Sequence, residues 1–179
     1  NYPEANLMLK EEISQIVQDS RSFKKIILEL IRSPKELKEK QEKDKEKVKQ
    51  QKEIEKMNMG AFLGVNNGSS DEPKLIYVKY QGLEKWENPT ALVGKGVMYD
   101  TGGYSLKTPT SMPGMKVDMA GSAAVICAIN ALASLKAKAN VMAIVAATDN
   151  RIGDGATVPD DILTAASGKT IEIISTDAE

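Results

Sequence analysis

The sequence predicts an α/β fold, a mixed and partly parallel sheet with flanking helices. Short apolar runs bounded by glycine or polar residues recur at 75–80, 91–99, 140–147 and 171–174, as buried strands do. Between the second and third lies 115–135, rich in alanine and other small residues and long enough for a helix. Strands alternating with helices pair at least partly in parallel.

In chain order, residues 1–3 are a loop opening, and 5–17 place Leu9, Ile13, Ile16 and Val17 at helical spacing. Residues 19–22 are a polar break; 23–31 is an apolar segment whose length does not decide between helix and strand. Ser33 and Pro34 suit an N-cap and a first helical position. Residues 35–56 are dominated by Lys, Glu, Gln and Asp. A solvated helix laced with Glu–Lys pairs is expected there, and a disordered connector is the competing reading. Residues 1–56 are therefore taken as a helical, charged lead-in.

Residues 54–65 read as a helix end and a glycine-punctuated apolar segment, 66–70 as a loop, and 75–80 (LIYVKY) as a strand. The turn 81–89 leads into the strand at 91–99, and 105–114, with Pro109 and Pro113, is a loop. A single helix over 115–135 packs closely on the sheet because its side chains are small. Residues 149–161 are a loop, 159–166 start a short helix, 167–169 turn, and 171–174 form the last strand.

A chain of 179 residues suits one domain with a sizeable core. Its net charge of −1 gives no general attraction to nucleic acid or an anionic membrane. There is no histidine, which removes histidine bases, triads and metal ligands together. The one cysteine, Cys127, lies in an apolar run and reads as an inert core residue. No apolar run reaches the ~18 residues needed to span a bilayer. The first residue is Asn1, so a piece of a longer protein is expected and a missing leader says little.

The chemistry concentrates in residues 91–121, where Lys95, Asp100, Lys107 and Asp118 stand among glycines and apolar residues, and in 171–179, with Asp177 and Glu179. A buried Lys95 is costly unless paired or deprotonated. Asp100 falls at a strand end, where α/β sheets bind ligands. Lys95 and Asp100, five apart, face opposite sides of an ideal strand. A structural Lys–Asp ion pair is the plain alternative. Ser167-Gly168-Lys169-Thr170 lacks the earlier glycine of a phosphate loop, having Leu163 there, and reads as a turn. Asp100-Thr101-Gly102 resembles one loop of an aspartic protease, but such enzymes face two loops together and this chain has one. The remaining reading is a metal site. Asp100, Asp118, Asp177 and Glu179 are hard oxygen ligands, and the two-residue step from Asp177 to Glu179 puts both on one side of a strand end. Against it, Asp118 reads as a cap of the following helix and Asp177 with Glu179 as surface acids.

VGKGVMYDTGGYSLK, then MPGMKVDMAGSAAV, then STDAE are similar to the leucyl aminopeptidase family, the dinuclear-metal cytosolic aminopeptidases. MNMGAFLGVNNGS resembles the family's lead into its catalytic domain. The resemblance implies that residues 57–179 are the first half of that catalytic α/β domain. It implies a cytoplasmic, homohexameric metalloprotease that releases leucine-like amino-terminal residues from peptides through a water activated by two divalent ions, Mn²⁺ or Zn²⁺. Lys95 and Asp118 match ligands of one metal, Asp177 a ligand of the other, and Asp100 and Glu179 the acids touching both. Lys107 matches the lysine that stabilises the developing oxyanion, and Met115 a residue lining the pocket for the first side chain. No membrane and no nucleic acid are implied as partners. A non-catalytic scaffold or DNA-associated role within the family is the alternative. Ser175 stands where the family has Asn, and the family's following Gly, Arg and Leu, the arginine catalytic, lie beyond Glu179. These 179 residues alone are thus expected to be inactive.

Overall fold

A computed structural model describes residues 45–179. The expected helix at 5–17, the segment 23–31, the Ser33–Pro34 start and the first part of the charged run lie outside the described residues. The elements are strand β1 (Lys45–Lys49), helices α1 (Gln51–Lys56) and α2 (Gly60–Asn66), strands β2 (Lys74–Gln81) and β3 (Thr90–Asp100), helix α3 (Ala120–Ser134), and strands β4 (Asn140–Asn150), β5 (Ile162–Thr164) and β6 (Thr170–Glu172). One sheet has the order β1-β2-β4-β3, and β5 and β6 form a separate pair.

Strand directions follow from hydrogen bonds just past the strand ends. Gly82 N–H, after β2, donates to Ala139 C=O, before β4 (2.9 Å), so these two run antiparallel. Thr101 N–H, after β3, donates to the carbonyl of Asn150, the last residue of β4 (3.0 Å), so these two run parallel. The sheet is mixed, with α3 as the crossover that a parallel pair requires.

The chain divides into two compact units. One includes Ile76–Lys95 and Met119–Val145; the other consists of Lys49–Leu75, Gly96–Asp118 and Ala146–Glu179. In the first, Tyr80, Ile129, Val141 and Ala143 form a buried cluster, with Leu92, Val125 and Leu132 packed around it. Each large side chain so buried contributes about 1.5–3 kcal/mol. The small residues of α3 allow the close approach expected of them. A Cβ at Gly94 would lie 2.7 Å from Gly121 O, and Ser122 Oγ donates to Lys95 O (2.5 Å). In the second unit, α2 meets β5 through its glycines: Gly60 abuts the Thr164 backbone and Gly64 the Leu163 side chain.

Four expectations change. The charged run is not one helix, since its described part contains β1 before α1. β1 is an edge strand, and lysine-rich sequence suits an edge because it discourages further pairing. The span 115–135 is not one helix either. Met115–Val117 is a 3₁₀ turn, and Asp118 and Met119, with ψ near zero (−2° and 5°), set it off from α3. That same segment, Met115–Ser134, is long and apolar enough by length and composition to cross a membrane, contrary to expectation, although Ile129 of α3 lies in the buried cluster with Val125 and Leu132 packed against it. Finally, 159–166 holds strand β5 instead of a helix start. β5 pairs antiparallel with β6 across a turn in which Gly168 has φ +80°.

Asn140, buried at the start of β4, ties down the 82–89 turn. Its amide donates to Lys85 O (2.7 Å) and Glu87 O (3.0 Å), and its Oδ1 accepts from Leu83 N–H (3.3 Å). Asn140→Ala should destabilise the protein by about 1–3 kcal/mol, the cost of stranding such partners. Urea denaturation measures this, and an unchanged midpoint would show that the turn is held by other contacts.

Candidate metal centre

The site grows from the level ends of β3 and β4. Asp100 closes β3 and is 2% exposed, so its carboxylate needs donors in place of water. Oδ1 accepts from Gly102 N–H (2.9 Å) and from Asn150 Nδ2 (2.8 Å), and Oδ2 pairs with Lys107 Nζ (2.8 Å). Gly102 and Gly103 make the turn that returns the chain to Lys107, with φ of +83° and +59°. Side chains are unwelcome there: a Cβ on Gly102 would lie 2.5 Å from Ser105 O and 3.1 Å from Asp177 Oδ1.

The chain's last residues reach this turn through Thr176. Its Oγ1 donates to Gly102 O (2.6 Å) and accepts from Ser105 N–H (2.8 Å), while Thr176 N–H donates to Ser105 Oγ (3.0 Å). This clasp sets Asp177 against Lys107, whose ammonium donates a short hydrogen bond to Asp177 Oδ1. One carboxylate oxygen each from Asp100, Asp177 and Glu179 lie within 4.8 Å of one another. Burial pushes the Asp100 pKa up, but hydrogen bonds from Lys107, Gly102 N–H and Asn150 outweigh it and leave the acid below its ordinary value. Hydrogen bonds to Asp100 and then Asp177 hold Lys107 well above its ordinary value.

Of the expected residues, the structure gathers Asp100, Lys107, Asp177 and Glu179. The latter two arrive from a turn and not, as expected, from alternation at a strand end, because β6 ends at Glu172. Asp118 ends the 3₁₀ turn and lies outside the three-acid cluster; Met119, not Asp118, is the N-cap residue of α3. Lys95 belongs to the other unit and is exposed, not buried. The cost of burying it therefore does not arise. Its exposure and the burial of Asp100 agree with opposite faces of one strand. Two residues escaped the sequence reading: Asn150 and Thr176. A polar Thr-Asp-Asn run closing an apolar strand was the available signal for Asn150; Thr176 had none beyond its place beside Asp177.

Three carboxylates cluster here, two of them paired with one ammonium, and all the offered donors are hard oxygens. That set suits Mg²⁺ or Mn²⁺, and Zn²⁺ accepts it. A cavity of about 240 Å³ adjoins it, lined by Gly64, Leu163, Ile171, Ile173 and Thr176 and sharing Glu179. Met115 does not line this cavity.

An α/β fold with an acid cluster at the ends of its strands is the class these features define. The pattern of the cytosol aminopeptidase family, catalytic domain, matches residues 24–179, and the chain belongs to this family. It is 48% identical over 132 residues to a probable cytosol aminopeptidase of Bacillus subtilis (strain 168), covering 74% of this chain and 26% of that relative. The apo leucyl aminopeptidase of Trypanosoma cruzi superposes with a TM-score of 0.72 at 37% identity, covering 76% of this chain and 27% of that one. The Trypanosoma brucei leucyl aminopeptidase in complex with bestatin gives 0.71 at 32%, covering 75% and 26%. The chain thus spans about a quarter of the length of the curated relatives it matches.

A pH dependence follows for metal-free protein. Asp100, depressed by folding, stabilises fully above its ordinary 3.8, and this is lost as pH falls through the lower folded value. Lys107, raised by folding, stabilises fully below its ordinary 10.5, and this is lost as pH rises through the higher folded value. In EDTA, the urea midpoint should fall below pH 3.8 and above pH 10.5, and Asp100→Asn should flatten the acid limb. An acid limb as steep in the variant would assign the loss to other carboxylates.

Proposed function

We propose that the protein carrying this chain is a metal-dependent aminopeptidase that removes leucine-like amino-terminal residues from peptides. The observation that supports it most is the Asp100, Asp177 and Glu179 cluster with Lys107 beside it, in a chain of the cytosol aminopeptidase family. Residues 57–179 are, on this reading, the first half of the catalytic domain, preceded by the lead-in 1–56.

Asp100, Asp177 and Glu179 are hard oxygen donors gathered at one place, and on this reading they, with Lys95 and Asp118, would hold two divalent ions, Mn²⁺ or Zn²⁺. What such ions supply when bound is Lewis acidity toward the peptide carbonyl and a lowered pKa for water. The protein's own share is orientation and charge. Asp100 is preorganised by its three donors, and Asp177 and Glu179 are positioned by the Thr176 clasp. Lys107, held protonated by its carboxylate partners, offers positive charge to the oxyanion that develops on the scissile carbonyl. Met115 borders the substrate's first side chain. The same reading gives a cytoplasmic homohexamer without membrane or nucleic-acid partners, and light scattering on the purified protein tests the hexamer. Alone, the chain, whose matched part spans about a quarter of the length of its relatives, should turn over no leucine anilide when assayed with that substrate in Mn²⁺.

Two variants of the full-length protein test the roles. Asp100→Ala should lose both activity and bound metal, read by elemental analysis after dialysis; undiminished metal would remove Asp100 from the site. Lys107→Ala should lower kcat by roughly 10²–10³, the scale for one oxyanion donor, with metal retained. Loss of metal along with activity would make Lys107 a structural residue instead.

A further inference from the structure

We infer that Asn150 is a positioning residue of this centre: one buried amide sets the orientation of two of the three clustered carboxylates, Asp100 and Glu179. This rests on the metal-site reading above and concerns how the site is held.

Asn150 is the last residue of β4 and is 4% exposed. Its Nδ2 donates to Asp100 Oδ1 (2.8 Å) and Thr176 O (2.8 Å), and reaches Glu179 Oε2 at 3.3 Å. All three partners are pure acceptors, so the amide can face them only with its nitrogen. Gly103 leaves room for the opposite atom, since a Cβ there would stand 2.9 Å from Asn150 Oδ1. The backbone of the same residue receives Thr101 N–H (3.0 Å) and Thr101 Oγ1 (2.9 Å). One residue thereby joins the end of β3, the glycine turn and the chain's last residues.

The chemistry explains why an asparagine suits this place. Aspartate would add a fourth negative charge beside three acids. Lysine or arginine would add a second positive charge competing with a bound cation. Glutamine carries the right group one methylene too far. Only a short neutral donor directs carboxylate oxygens without altering the charge the site presents to a metal. Partners of this kind are worth about 10–100-fold in metal affinity.

The test is Mn²⁺ titration of full-length apoprotein by calorimetry, unmutated and Asn150→Ala, with circular dichroism of both in EDTA. A fall in Mn²⁺ affinity of about tenfold or more, with the metal-free spectrum retained, is expected. Half-maximal activity should need correspondingly more Mn²⁺, and kcat should recover at saturation. If Asn150→Ala folds poorly, Asn150→Ser, with one short hydroxyl donor, is read in the same assay and should show the same direction of change. Mn²⁺ affinity within twofold of the unmutated protein in the folded variant would overturn this inference alone. Failure of the unmutated protein to bind Mn²⁺ would overturn the metal reading and this inference with it.

Discussion

The centre depends on two parallel strands ending level with one another. β3 stops at Asp100 and β4 at Asn150, and Thr101 seals the pair by giving both its N–H and its hydroxyl to one carbonyl. A carboxylate is thereby buried with no water to solvate it, an arrangement tolerable only when hydrogen bonds replace that water. The residues that follow supply them. Gly102 offers its N–H, the left-handed glycine pair turns the chain, and Lys107 returns with a charge. The loop after β3 is thus shaped by what Asp100 requires.

The three acids are held in different ways. Asp100 is fixed by a strand end and three donors, whereas Asp177 and Glu179 sit on an exposed or half-exposed turn anchored through Thr176. Lys107 links the two sets by spanning Asp100 and Asp177. Without a bound cation, three carboxylates this close repel one another, and the ammonium relieves two of them at once. The same ammonium is kept charged by that contact, which is the state an oxyanion donor needs.

Much of this was legible in the sequence, for a physical reason: apolar runs and glycines report burial and turning directly. The strands at 75–80, 91–99 and 140–147, the α3 helix and the loop at 105–114 all stand close to where patterning put them. What failed depended on neighbours. Which residues of a strand are covered is decided by what packs on it, so Lys95, among apolar residues and glycines, read as buried and is exposed. KEKVK is charged enough for a helix, yet it lies beside β2 as a strand. Residues 159–166 have no strong period, and the partner strand β6 makes Ile162–Thr164 extended. At the site, the charged residues drew attention and the neutral ones did not. Asn150 and Thr176 matter through whom they touch, and only the fold brings those partners near.

That contrast bears on how such a site is specified. Carboxylates on flexible turns meet a cation easily but lose entropy in doing so, while an acid fixed beforehand has already paid it. Here the fixed acid lies deepest and the two less buried acids are hung from it: Thr176 is hydrogen-bonded to Gly102 and Ser105, and Asn150 reaches both Asp100 and the Thr176 carbonyl. The uncharged clasp therefore shares the geometry with Lys107, and the carboxylates would supply the affinity for a cation. Neutral donors can hold carboxylates at a chosen angle without cancelling the negative charge that attracts a metal, which a surrounding shell of lysines would do. Lys107 faces two of the acids and is also the residue proposed to meet the substrate's oxygen, so its positive charge is placed where the chemistry would use it.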